Sequence, residues 1–563
     1  MDTVFFIIFR RMRQPLLSLI ISYAIVILGL TLIPGKEIDG QTYYMSFFHA
    51  FYFVSYMATT IGFGEIPYEF SDAQRLWVSF SVYVTVIVWI YALGTLLSLI
   101  RDEAFQQAVT ERKFTNIISH LSERFYLVCG YGETGTELVH ALIDYNQHAV
   151  VVDIDPNRIS ELELHNLRDF VPSLCADGCR PKHLIEAGLN NSLCAGVVAL
   201  TNVNETNLKI AITSKLLNPN LKVVCRADSQ DVEANMESFG TDEIIDPFDT
   251  FSTLLTTALQ KPCLYLLQQW LTGMSNDSLI EPVYPPKNGK WIICGFGRFG
   301  QAIHRRLNQE EIDIVIVDIC SDYADEPEID FILGRGTEAD TLKQADIDNA
   351  VGLVAGTDDD ANNLSIVVTA LELNSNLFTI ARQNEKDNQE LFDSLSCDMV
   401  MNPGNIIANK IRALLVMPML YEFLGLAYNE SDEWACALVS RILGAITDVV
   451  PDIWELTIGE EEAYAVISLQ ARDMEVTLGD IQSNRYQREE ELNCVALLYL
   501  SKTGKVMLPT KDTLLQAGDK ILFCAQSGVR HSIEWNLQNQ NVLEYILTGE
   551  NPKESYLLSL FRR

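Results

Sequence analysis

The sequence predicts an α-helical two-span membrane module with a re-entrant segment, then two α/β Rossmann-like domains and a small α+β C-terminal lobe. Three observations carry this. Two long runs near the N terminus hold no charged residue. A strand–GxGxxG–strand–Asp pattern occurs twice, 165 residues apart. The charge is divided sharply: the 563-residue chain has a formal charge of −34, but residues 1–100 carry only −1 and the remainder about −33. A chain this acidic lacks the electrostatic attraction to phosphates that nucleic-acid binding uses. With 48% hydrophobic residues it can bury cores and is not a disordered chain.

The first uncharged run is Pro15 to Ile33. Nineteen helical residues span about 29 Å, the thickness of a bilayer core. The second, Trp77 to Ile100, spans about 36 Å and crosses with some tilt. Arg10, Arg11 and Arg13 precede the first run, which puts both ends of the module on the cytoplasmic side of a cell membrane. Between the runs, Tyr43–Ala58 is aromatic but too polar for a third crossing, and reads as a short re-entrant helix. It leads into Thr59-Thr60-Ile61-Gly62-Phe63-Gly64-Glu65. Irregular backbone at membrane depth survives only when buried in protein or lining water. Its carbonyls could replace the hydration shell of a cation, with glycine allowing the needed conformations.

Tyr43–Glu65 resembles the pore helix and selectivity filter of potassium channels, whose filter reads TVGYG or TIGFG, usually followed by Asp. The resemblance implies a selectivity filter of Thr60, Ile61, Gly62, Phe63 and Gly64, with K⁺ coordinated by the carbonyls of Thr60–Phe63 and the Thr60 hydroxyl, and four chains around one pore. Glu65 stands where Asp is usual. Phe63 lacks the hydroxyl of the commoner Tyr. The second span would be the inner helix. It has no glycine at the usual hinge, so bending or close packing is expected near Gly94, with Leu97 as an apolar constriction.

The repeat follows. Tyr126–Gly135 (YLVCGYGETG) and Trp291–Gly300 (WIICGFGRFG) each read as strand, GxGxxG turn and helix start. A second strand then ends in Asp153 or Asp318. Later landmarks keep an offset of 156: Thr201 with Thr357, Asn207 with Asn363, Arg226 with Arg382. Such glycines let a pyrophosphate approach a helix N terminus, and the acid binds ribose hydroxyls. Candidate nucleotide-binding residues are therefore Gly130, Gly132, Gly135 and Asp153 in the first copy, and Gly295, Gly297, Arg298, Gly300 and Asp318 in the second. Arg298 would neutralise a phosphate and Glu133 would repel one, so the second copy is the better site. No catalytic pair accompanies either copy, so no enzyme is expected.

The two copies resemble RCK domains, the regulators of K⁺ conductance, over about Phe125–Pro247 and Lys290–Pro403. The resemblance includes Ala176–Leu189 (ADGCRPKHLIEAGL), with Asp177 at a motif position that Arg335 takes in the second copy. The expected organisation is 1–100 pore module, 101–124 linker, 125–247 first RCK lobe, 248–289 crossover helices and linker, 290–403 second RCK lobe, 404–434 crossover helices, 435–530 C-terminal lobe and 531–563 tail. The implied function is a homotetrameric, ligand-gated potassium channel in the lipid bilayer, its eight RCK domains forming a ring. Its ligands would be NAD, ADP or another adenine nucleotide, and Ca²⁺, for which Asp102, Glu103 and Asp177 are metal candidates beside Asp358–Asp360 and Glu460–Glu462. A weakly selective cation channel of the same architecture is the alternative. The twelve cysteines show no paired spacing and are expected to be reduced, buried thiols.

Overall fold

The computed structural model describes residues 3–38, 41–66, 68–165, 167–273, 279–321, 329–395, 397–446 and 449–550. The chain divides into two compact units, Met1–His120 and Leu121–Arg563.

In the first unit, α1 (Thr3–Leu32) starts well before the expected span and runs through Pro15. Helix α2 (Phe47–Ala58) is capped by Ser46, whose hydroxyl accepts from the His49 N–H. Helix α3 (Asp72–Ile100) opens with a capping box formed by Ser71 and Gln74. Among the described residues two helices, Ile8–Leu32 and Asp72–Ile100, are long and apolar enough to cross a membrane. They pack closely at Gly29, where an added Cβ would lie 2.2 Å from the Trp77 ring. The Trp77 indole N–H then donates to the Val26 carbonyl at 3.2 Å. Helix α4 (Glu103–Ser119) follows, capped by Asp102.

Among its described residues the second unit holds three sheets. The first has strands β1 (Phe125–Cys129), β2 (His148–Asp153), β3 (Ser173–Cys175), β4 (Cys194–Ala199), β5 (Lys222–Arg226) and β6 (Glu243–Ile245) in the order β3-β2-β1-β4-β5-β6, all parallel. The second repeats it with β7 (Lys290–Cys294), β8 (Asp313–Asp318), β9 (Asp330–Leu333), β10 (Ala350–Ala355), β11 (Phe378–Arg382) and β12 (Met399–Met401), ordered β9-β8-β7-β10-β11-β12. This is the doubly wound Rossmann order, with the strand order reversing beside the first strand of each copy.

Helix α5 (Glu133–Asp144) leads out of the first glycine turn, and α8 (Arg298–Gln309) out of the second. Between them in sequence lie α6 (Pro247–Gln260) and α7 (Pro262–Thr272), joined at Lys261. After the second sheet come α9 (Pro403–Leu415), α10 (Pro418–Ala427) and α11 (Asp432–Leu443). The crossover helices are exchanged between copies. Phe248, Phe251 and Leu255 of α6 join the core of the second copy with Phe299, Ile303 and Leu307. Ile407, Ile411 and Leu414 of α9 join the core of the first with Leu138 and Leu142. Each copy is thus completed by the helix that follows the other copy in sequence.

The third sheet is antiparallel, with β13 (Asp452–Thr457), β14 (Cys494–Ser501), β15 (Gly504–Met507) and β16 (Lys520–Ala525) in the order β13-β16-β14-β15. Its core takes in Ile533, Leu537 and Leu543 from α12 (Val529–Gln538) and α13 (Gln540–Thr548). The expected tail after residue 530 is therefore corrected: residues 531–548 belong to the lobe, because their apolar side chains recur at helical spacing and are buried. Residues 551–563 lie outside the described ones.

Candidate pore segment and nucleotide loops

Helix α2 ends at Ala58, and the chain leaves it through alternating left-handed backbone. Thr60 has φ 62°, Gly62 φ 67° and Gly64 φ 91°. For Thr60 this conformation is strained, and strain of that kind persists only where surroundings enforce it. Three sets of hydrogen bonds do so. The N–H groups of Thr60 and Ile61 donate to the Met57 and Tyr56 carbonyls at 3.1 and 3.0 Å. The Tyr56 hydroxyl donates to the Gly64 carbonyl at 2.7 Å. Glu65 accepts from Arg75 at 2.9 and 3.2 Å and from the Phe70 N–H at 2.8 Å. The Arg75 guanidinium, and then the Phe70 N–H, hold the Glu65 carboxyl below its ordinary range. The side chains of Ile61 and Phe63 stand exposed, Phe63 touching the Tyr56 ring edge-on at 5.4 Å.

Tyr56 and Arg75 were not among the residues singled out in the sequence. Their signal was present: Tyr56 lies in the last turn of an aromatic helix, just before the loop, and Arg75 is the basic residue nearest to Glu65 in sequence. Further along α3, an added Cβ at Gly94 would meet nothing within 4 Å, and Leu97 is exposed.

The two glycine turns share one construction. Gly130 and Gly295 have φ 103° and 94°. A Cβ at Gly135 or Gly300 would sit 2.1 Å from the carbonyl oxygen of Gly130 or Gly295, so only glycine lets the helix start so close to the strand. Asp153 accepts from the N–H groups of Tyr131 (2.5 Å) and Asp155 (2.8 Å). Asp318 accepts from Phe296 (2.5 Å) and Cys320 (2.7 Å). Both acids therefore hold their own turn in shape.

The copies differ in access. Asp153 is 5% exposed, and the Arg158 guanidinium covers the first turn, 3.5 Å from both Asp153 and a Cβ at Gly132. At Gly297 an added Cβ would meet nothing. Beside the second turn is a cavity of about 270 Å³ lined by Gly295, Asp318, Arg335, Thr337, Thr357 and Asp358, among others.

The expected roles of Arg298 and Glu133 are corrected. Arg298 turns away from its own loop: its guanidinium donates to Asp228 of the first copy at 2.6 Å and lies over the Phe248 ring. Glu133 accepts from the Lys386 N–H of the second copy at 2.8 Å. Each is drawn off by an opposite charge or a donor across the junction. Arg335, not Arg298, is the cation lining the second cavity.

The repeated Thr–Asn–Arg landmarks form a buried clamp. Asn207 accepts from the Thr201 N–H and hydroxyl at 2.9 and 2.7 Å and donates to the carbonyls of Thr201 and Arg226. Asn363 makes the same four bonds to Thr357 and Arg382. This saturates the amide and ties the end of the fourth strand of each copy to the fifth.

The metal candidates are engaged otherwise. Asp102 pairs with Arg11 at 3.0 Å and caps α4. The Glu103 side chain lies outside the described ones. Asp177 accepts from the Cys179 N–H and pairs with Arg180 at 3.5 Å. Asp360 is filled by donors from Asn384, Glu385 and Asn388. Among the described residues, the three metal-ligand-type side chains that lie close together are different ones, Cys263, Asp432 and Cys436, and the two sulfurs are bonded to each other rather than free to ligate. The expectation that every cysteine is a free thiol is also corrected: Cys263 and Cys436, 173 residues apart, are disulfide-bonded, because α7 and α11 pack side by side. The other ten are free.

Comparison with known proteins agrees with this construction. The family model described as an ion channel matches residues 16–102, and the TrkA-N domain model matches residues 126–247 and 291–403. A probable potassium channel protein 2 of Methanocaldococcus jannaschii is 31% identical over 140 residues, covering 24% of this chain and 41% of that one. Potassium channel protein 1 of the same organism is 29% identical over 151 residues, covering 26% and 45%. The chain thus spans under half the length of these two curated relatives. A Trk system potassium uptake protein TrkA homolog of Methanothermobacter thermautotrophicus is 28% identical, covering 25% of this chain and 67% of that one. Among solved structures, the GsuK channel bound to NAD is 15% identical with a TM-score of 0.44, covering 95% and 100%. GsuK bound to ADP is 18% identical with a TM-score of 0.42, covering 73% and 99%. These relatives are potassium channels and potassium-uptake proteins by name, not enzymes. The chain joins an ion-channel module to a pair of TrkA-N domains, the domain set of a potassium channel that carries RCK domains.

Proposed function

We propose that four copies of this chain form a potassium-selective channel whose opening is set by adenine nucleotides, NAD among them, at the RCK domains. The observation that carries the pore reading is the segment Thr60–Gly64, left-handed at alternate residues and tied down by Tyr56 and by the Glu65–Arg75 pair. Backbone carbonyls held this way suit a dehydrated cation. What supports the ligand reading is the open second turn, with Asp318 for a ribose and Arg335 for a phosphate beside one cavity. The basic flank Arg10, Arg11 and Arg13 supports a cytoplasmic N terminus, and two crossings return the chain to that side of the cell membrane.

Gating is then a population shift: a nucleotide that binds the open and closed arrangements with unequal affinity moves the balance through residues 101–122, which join pore and RCK domains. Single-channel recording with NAD, ADP and Ca²⁺ applied to the cytoplasmic side tests it. Open probability should change with a nucleotide, and no response to any of the three would overturn the ligand reading. The calcium arm has the weaker support, since Asp102 and Asp177 already face arginines. A second reading, a weakly selective cation channel, is favoured by Phe63, whose exposed ring brings no hydroxyl to anchor the segment. Reversal potentials in K⁺ against Na⁺ separate the two, and equal permeability would end the potassium reading.

A further inference from the structure

The turn at Lys261 is where α6, built into the second RCK copy, passes into α7, built against the C-terminal lobe. It is held from outside by one short stretch of chain. The Lys261 ammonium donates to the carbonyls of Tyr428 and Glu430 at 2.8 and 2.7 Å. Asp432, in the first turn of α11, accepts from the N–H groups of Cys263 and Leu264 at 2.9 and 3.2 Å, capping α7. Cys263 is bonded to Cys436 of α11, their Cα atoms 5.0 Å apart, and both residues are only half-buried.

We propose that Cys263 and Cys436 are a reversible dithiol–disulfide site that stiffens the α6–α7 turn. The proposal rests on the cytoplasmic placement of the RCK domains. In that compartment thiols are kept reduced, and the disulfides that do form are usually transient or redox-sensing. The interface does not need the bond to exist: Leu264, Leu267 and Trp270 of α7 pack on Leu438 and Ile442 of α11, and the Lys261 and Asp432 contacts remain. Breaking it therefore loosens the turn without parting the helices. The oxidant is a small-molecule disulfide of the glutathione type. One cysteine, as thiolate, attacks it to form a mixed disulfide and releases one small thiol. The other cysteine displaces the second small thiol and closes the Cys263–Cys436 bond. The two protons lost by the cysteines are taken up by the two released thiolates. Excess small thiol or dithiothreitol reverses the sequence.

The test uses the full chain in lipid or detergent and needs no ion flux, so its failure is distinct from failure of the channel reading. Alkylation followed by mass spectrometry should label Cys263 and Cys436 only after dithiothreitol, and oxidised glutathione should protect them again. Amide exchange around residues 259–265 should quicken about tenfold on reduction. The double variant Cys263→Ser/Cys436→Ser should exchange at the reduced rate under both conditions; the oxidised–reduced comparison of the natural chain stands even if that variant folds poorly. The proposal is overturned if both cysteines label fully after oxidised glutathione, or if exchange ignores reduction. It is also overturned if the reduced chain binds one zinc that blocks reoxidation and is lost in Asp432→Asn, which would make the group a metal site.

Discussion

Glu65 is exposed, yet its carboxyl is held below the ordinary glutamate range by Arg75 and the Phe70 N–H. A depressed folded value means that the stabilisation is present above the unfolded value and lost as pH falls through the folded one. Stability of the pore segment should therefore drop on the acid side of the carboxylate range, and Glu65→Gln should remove that part of the acid dependence in thermal-melt profiles. The residue departs from the usual Asp, but its longer side chain is what reaches Arg75 and the Phe70 N–H together. Buried amides make a second residue-scale case. Asn207→Ala leaves the Thr201 N–H and the Arg226 carbonyl without their partner in a dry site, which should cost about 2–3 kcal/mol in denaturant unfolding. Asn363→Ala should do the same in the second copy.

The glycine turns, the strand-end acids and the repeat were legible because each depends on a few adjacent residues. Gly135 must be glycine to clear the carbonyl of Gly130, five residues back along the chain, whatever the rest of the molecule does. The partners of Glu133 and Arg298 were not legible. Lys386 and Asp228 lie far off in sequence, and no local pattern announces a contact made only when the two copies meet. The same holds for Cys263 and Cys436. Across the junction the signs are matched: Glu137 of the first copy pairs with the Lys386 ammonium of the second while Glu133 takes the Lys386 backbone N–H, and Arg298 of the second meets Asp228 of the first. Two first copies would set Glu133 toward Asp228, and two second copies Arg298 toward Lys386. A double-mutant cycle on Arg298→Glu and Asp228→Arg should reveal coupling of about 0.5–3 kcal/mol, the reversed pair being more stable than either single change.

At the scale of the whole molecule, residues beyond 100 carry nearly all of the −34 charge. A negative field of that size concentrates cations and fades with salt, from a Debye length of about 30 Å at 0.01 M to about 3 Å at 1 M. The proposed channel should thus conduct more at low K⁺ than a neutral pore extrapolated from molar K⁺, measured as unitary conductance against concentration. The exchange of α6 and α9 between the copies also sets a timetable for synthesis. The first copy has all its strands once Ile245 has been made, but the helix that seals its flank ends at Leu415. At 5–20 residues per second the ribosome takes on the order of 10–30 s to cover that gap. Through that interval the faces of Leu138 and Leu142 wait uncovered, so the nascent chain, rather than the finished protein, is where chaperones have most to hold.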